Sequence, residues 1–130
     1  MFSNKQYLLP RILIGVLALV MAAFTIPAYG NPLSNPGLAS LTGESALLGG
    51  TAGAFLGRQL TLILIALIGV VVGHRYLVMM GGFAMMFMNG HDAIFMGLMG
   101  GPAFAAGAGL LFAVIAAIAI FLVWRKPEVA

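Results

Sequence analysis

The chain has 130 residues, 62% of them hydrophobic and 7% charged, with six Lys and Arg against three Asp and Glu, a net charge of +3 and no cysteine. Soluble domains use roughly 45–50% apolar and about 25% charged residues, so this composition reads as an integral membrane protein whose first partner is the lipid bilayer. Without cysteine there is no disulfide, thiolate metal site, redox dithiol or iron–sulfur cluster, and basic residues gathered at span ends speak for topology and against nucleic-acid binding.

In chain order, the first predicted span covers about 10–29. Lys5 and Arg11 lie at its start, Pro10 suits a first helical turn, and Asn31-Pro32 and Asn35-Pro36 follow it. The same features, a basic start, an apolar core and the small-residue pattern Ala28-Tyr29-Gly30, also fit a cleavable signal peptide. Residues 30–42 read as a polar, Pro-containing loop.

The second predicted span, about 47–72, lies in a run of 29 residues from Ser45 to Gly73 whose only charge is Arg58. At 1.5 Å per residue it would be roughly 39 Å long, more than the roughly 30 Å of hydrocarbon, so it must tilt, bend or protrude. His74-Arg75 marks a tight connection to the third span, about 76–94, whose end is blurred by the turn signal Asn89-Gly90. A loop near 97–102 leads to the fourth span, about 103–124, closed by Arg125-Lys126. The expected fold is therefore all-α: one transmembrane domain over 1–130, a four-helix bundle with both termini cytoplasmic in a cell membrane. The orientation follows from Lys5, Arg11, Arg75, Arg125 and Lys126 falling at alternate span ends, while the two other loops carry no Lys or Arg.

Small residues recur every four positions at Gly49, Gly53 and Gly57, and again at Ala105 and Gly109. That spacing lets helix backbones approach closely, within one chain or between two copies in a homo-oligomer. The glycine row lies roughly 100–180° around the helix from Arg58.

A lone Arg at a helix centre costs about 2.5–3.5 kcal/mol on insertion scales, so Arg58 needs a partner. Helix arithmetic brings Asn89 and Asp92 of the third span toward it in the outer half, with Gln59 and Thr61 as further members of a network. Three readings stay open: a structural Arg58–Asp92 ion pair, a polar site for a lipid headgroup, quinone or small anion, and snorkelling of Arg58 to the surface. Asp92 could also N-cap a short helix over 93–98.

Seven of the nine methionines lie between Met79 and Met99 with His91 among them, which raises Cu(I), but they spread around the helix as packing residues do. His74 and His91 are roughly 25 Å apart along a continuous helix, too far to share one haem iron. No metal or catalytic residue is assigned.

Taken together, Arg11 and Gly15 in the first span, Pro27 at its end, Gly57-Arg58 in a small-residue-rich second span and the Asn89…Asp92 patch in the third resemble the DoxX-like superfamily of small four-helix membrane proteins. The resemblance covers nearly the whole chain and is carried most by Gly57 and Arg58, then by Asp92. It implies an accessory or quinone-linked role beside a membrane oxidoreductase partner. The expected function is thus a non-catalytic or accessory subunit with a lipid or quinone pocket around Arg58, the alternative being a small transporter or channel for an anion or small solute.

Overall fold

The computed structural model describes residues 5–126. The chain ends, included in the expected 1–130 domain and placed on the cytoplasmic side, lie outside the described residues. The protein is 83% helical, and no strand occurs among the described residues. Four long helices, α1 (Leu8–Ala28), α2 (Thr51–Val72), α3 (Arg75–Leu98) and α4 (Ala103–Trp124), hold most of the chain. At 1.5 Å per residue each is about 31–36 Å long, close to the thickness of a bilayer core.

Among the described residues, three segments are both long and apolar enough to cross a membrane: Leu8–Ala28, Gly43–Val72 and Ala103–Trp124. Helix α3 has the length, but its four glycines with Asn89, His91 and Asp92 dilute its hydropathy.

Consecutive helices pack side by side, and α1 closes the ring against α4. The links at 73–74 and 99–102 are too short for anything but antiparallel neighbours. Gly73 makes the first of these turns in the left-handed region, at φ 69°, with the Arg11 guanidinium pressed against it. A side chain there would be strained by the backbone and would displace Arg11.

Arg11 also ties α1 to the end of α2. Its Nε donates to the Val70 carbonyl at 2.7 Å and its Nη2 to that of Val71 at 3.3 Å. Arg75 Nη2 lies 3.5 Å from the Trp124 carbonyl. Cations of α1 and α3 thus sit on the last carbonyls of α2 and α4, where the helix dipole favours positive charge. Lys5, Arg11, Arg75, Arg125 and Lys126 consequently share one end of the molecule, and Arg58 lies in the other half.

Two boundaries differ from expectation. The second helix begins at Thr51, because Gly43–Ala46 forms a separate 3-10 turn and residues 47–50 a tight turn closed by the Gly50 N–H on the Leu47 carbonyl at 2.9 Å. The overlong apolar segment is shortened by leaving its first residues outside the α-helix. The third helix runs straight through Asn89-Gly90 to Leu98. Asn89 turns its side chain back onto the Met85 carbonyl of the preceding helical turn, at 2.8 Å, and takes part in no chain reversal. Asp92 therefore lies inside a helix and caps nothing.

The glycine row also behaves differently. Gly49 precedes α2 and, like Gly57, faces open space, while Gly53 packs under the backbone of its own neighbour Leu48. The close approaches between helices fall elsewhere: Gly69 against the Leu77 backbone, Gly81 against Ala66, Gly82 against Ile120 and Ile14, and Gly109 against the Asn89 carbonyl. Of the small residues expected to pack, Gly109 alone brings two helices together through its missing side chain, and Ala105 lines the cleft described below.

The interior has two apolar clusters. The larger, toward the basic end, includes Ile14, Leu17, Met21, Ile63, Val78, Met85, Met88 and Val123; the smaller comprises Ala28, Leu38, Ala52 and Leu56. Along α1 the order is Met21, Thr25, Ala28, and along α2 it is Leu56, Gln59, Ile63. A polar layer separates the two clusters.

Candidate functional site

That layer begins with Thr25 and Asn35, both buried. Asn35 sits in the connection between α1 and α2, where its Oδ1 accepts from the Gly37 N–H at 2.9 Å and caps the turn Pro36–Leu38. This bond decides which way its amide faces. The Nδ2 must point inward, and it reaches the Phe24 carbonyl and Gln59 Oε1, each at 3.3 Å. Thr25 Oγ1 donates to the same Gln59 oxygen at 2.9 Å. With its oxygen held by two donors, Gln59 turns its NH₂ away from both.

Asn89 completes the layer from α3, at 7% exposure. Its Nδ2 donates to the Met85 carbonyl and lies 3.6 Å from the Met21 sulfur. Its Oδ1 accepts from no group among the described residues, yet it is not sealed in. Gly109 lets α4 pass against the Asn89 backbone, where an added Cβ would stand 2.8 Å from the carbonyl oxygen.

A cleft opens beside this layer, holding about 540 Å³ of empty space with its mouth included. All four helices and the 35–37 turn line it. Gln59, Asn89 and Asp92 supply polar groups, and Phe24, Phe55, Phe104, Phe112, Met21 and Met96 supply apolar walls. Its mixture of an apolar lining with a few convergent polar groups is typical of small-molecule sites.

Arg58 is not part of the lining. One residue from Gln59, it is turned about 100° around the helix and lies on the outer α2–α3 seam, where its side chain is 43% exposed. The expected pocket around Arg58 is thus displaced onto its neighbour. Arg58 Nη2 donates to Asp92 Oδ2 at 2.8 Å, and its guanidinium lies 5.1 Å from the centre of the Phe55 ring. The other Asp92 oxygen lies 3.2 Å from His91 Nδ1. Asp92 and Phe55 both face the cleft, so Arg58 braces its wall from behind. His91 belongs to an exposed row with Phe83, Phe87 and Phe95, one helical turn apart.

Of the residues singled out by sequence, Arg58 pairs with Asp92, Gln59 and Asn89 face the cleft on other partners, and Thr61 bonds back to the Gly57 carbonyl. Thr25 and Asn35 escaped the sequence reading. Thr25 could have been found from its spacing, four residues beyond Met21 on one face of α1, but Asn35 looked like any residue before a proline. The methionines disperse: Met85 and Met88 lie in the larger cluster, while Met80 and Met99 point outward. Among the described residues no three His, Asp or Glu side chains converge. The chain matches no protein family, no curated protein and no solved structure.

Proposed function

We propose that this is a four-span protein of the cell membrane with both chain ends cytoplasmic, an accessory rather than catalytic component that holds a lipid- or quinone-like molecule in the cleft beside Gln59, Asn89 and Asp92. The observation that carries this reading is the cleft itself: an aromatic-walled space between two apolar clusters, at a level where α1, α2 and α3 place polar side chains together. Polar groups inside a membrane bundle are costly unless paired or used.

The reading takes α3 as a span despite its lower hydropathy. Met80, Phe83, Phe87, Ile94 and Phe95 form an exposed, largely apolar face on it, suited to lipid and shared with His91, while Asn89 turns toward α1 and Asp92 toward α2. The DoxX-like resemblance, resting on Gly57-Arg58 and the Asn89…Asp92 patch, is part of the same proposal, as is an oxidoreductase partner. The alternative of an anion path gains less support, because the Arg58 charge that an anion would meet is already engaged by Asp92.

Native mass spectrometry of gently extracted protein tests the pocket. A retained small amphiphile is expected on the native chain and should be lost from Ala108→Trp, which fills the cleft; bare protein throughout would sink the reading. Topology is checked separately. With no native cysteine, single substitutions Thr42→Cys and Met99→Cys should react with a membrane-impermeant maleimide on intact cells, and His74→Cys only after permeabilisation. His74→Cys and Met99→Cys reacting from the same side would remove α3 from the spans.

A further inference from the structure

The hydrogen-bonding state of the cleft says more about its occupant than its size does. Gln59 presents an NH₂ with no protein acceptor among the described residues, because Thr25 and Asn35 hold its oxygen. Asn89 presents the reverse, an oxygen without a donor among the described residues on a residue more than nine-tenths buried, because its NH₂ is spent on Met85 and Met21. Asp92 adds carboxylate oxygens, each with one cationic or ring-nitrogen neighbour and remaining lone pairs. Acceptors therefore predominate.

We infer that the cleft selects an amphiphile bearing a free hydroxyl, phenol or alcohol, over the corresponding ether, ester or ketone, which within the quinone-like class favours the reduced quinol over the quinone. A hydroxyl answers both vacancies, its O–H donating to Asn89 Oδ1 and its lone pairs accepting from Gln59 Nε2. A carbonyl or ether oxygen can satisfy Gln59 alone, and by filling the cleft it covers the Asn89 oxygen without giving it a partner. An unmet buried acceptor is more costly than a missing bond at a surface. With Arg58 balancing Asp92, an uncharged head fits better than an ion, and the rings of Phe24, Phe55 and Phe112 suit a hydrocarbon or aromatic body.

This inference rests on the cleft being a ligand site, and the two can fail separately. Protein in lipid nanodiscs, with empty nanodiscs as reference, is equilibrated with 4-octylphenol and with its methyl ether, 4-octylanisole. Saturable binding is expected for both, with the phenol about tenfold tighter. Asn89→Leu should bring the ratio close to one. Equal affinity of the two probes for the native protein overturns the hydroxyl preference and leaves the pocket standing. An unchanged ratio in Asn89→Leu overturns the assignment to Asn89. Absence of saturable binding for either probe removes the pocket reading along with the inference. Should Asn89→Leu not fold, the phenol-to-anisole ratio on the native chain still decides.

Discussion

Replacing Gly81 with leucine is expected to destabilise the protein by about 3 kcal/mol, at the upper end of what overpacking ordinarily costs. A Cβ at Gly81 would stand 2.9 Å from the Ala66 Cα, a backbone atom that no rotamer change can move aside. Gly69 makes the reciprocal approach from α2 onto the Leu77 backbone of α3. Any side chain at either place pushes α2 and α3 apart along the seam that carries the Arg58–Asp92 pair. In lipid, where burial from water contributes little between helices, close van der Waals contact is the chief source of helix association. The same substitution at Gly57, whose Cβ position is open, should lie within about 0.5 kcal/mol of the native chain. Unfolding by graded addition of denaturing detergent to mild-detergent micelles gives both values. A large loss at Gly57 with little at Gly81 would overturn the assignment of the packing seam and point to a second copy of the chain against the Gly53–Gly57 face.

The second large effect concerns a charge left behind. Asp92→Leu should destabilise by about 2 kcal/mol, because it strands Arg58 on an apolar helix, where a lone Arg costs about 2.5–3.5 kcal/mol at mid-membrane and less when it can snorkel. The 43% exposure of the Arg58 side chain argues for the lower part of that range. Removing both partners in Arg58→Leu/Asp92→Leu should recover most of the loss, since an ion pair replaced by apolar side chains leaves no stranded charge. The resulting coupling, on the order of 1 kcal/mol or more, is read from a double-mutant cycle with the same detergent titration. Strictly additive losses would show that Arg58 and Asp92 do not depend on each other. His91 gives a control: it contacts Asp92 from within the same helix, so His91→Ala should leave the Arg58 coupling largely in place.

How much of this was legible in the chain differs by level. The helices follow from apolar runs bounded by Gly, Pro and charge, and misplacements occur where a local signal competed with packing. Asn89-Gly90 is a turn signal taken by itself, but inside α3 the Asn side chain finds its own helical carbonyl and its backbone lies against Gly109, so the helix continues. The four-residue spacing of Gly49, Gly53 and Gly57 looks like a packing face, whereas the glycines pressed closest against another helix, Gly69, Gly81, Gly82 and Gly109, share no such row. Which glycine meets a neighbour depends on how two helices are rotated and shifted against each other, and spacing within one helix does not contain that.

The candidate site shows the same division. Arg58 draws attention because a charge in an apolar run is expensive, yet the cleft belongs to Gln59, one position further and about 100° around the helix. Asn35 reaches it from the α1–α2 connection, which periodicity does not describe.

The sequence by itself therefore determined the solvent this protein is built for, its helical character and the gathering of basic residues at helix ends, because these depend on composition and on properties of single segments. Only the tertiary structure decided that Thr25, Asn35 and Gln59 form one hydrogen-bonded layer, that Asn89 brings an unsatisfied oxygen to the cleft beside it, and that Arg58 stands behind the wall on Asp92. Those facts depend on helix rotation and register, which are set by close contacts between backbones far apart in the chain.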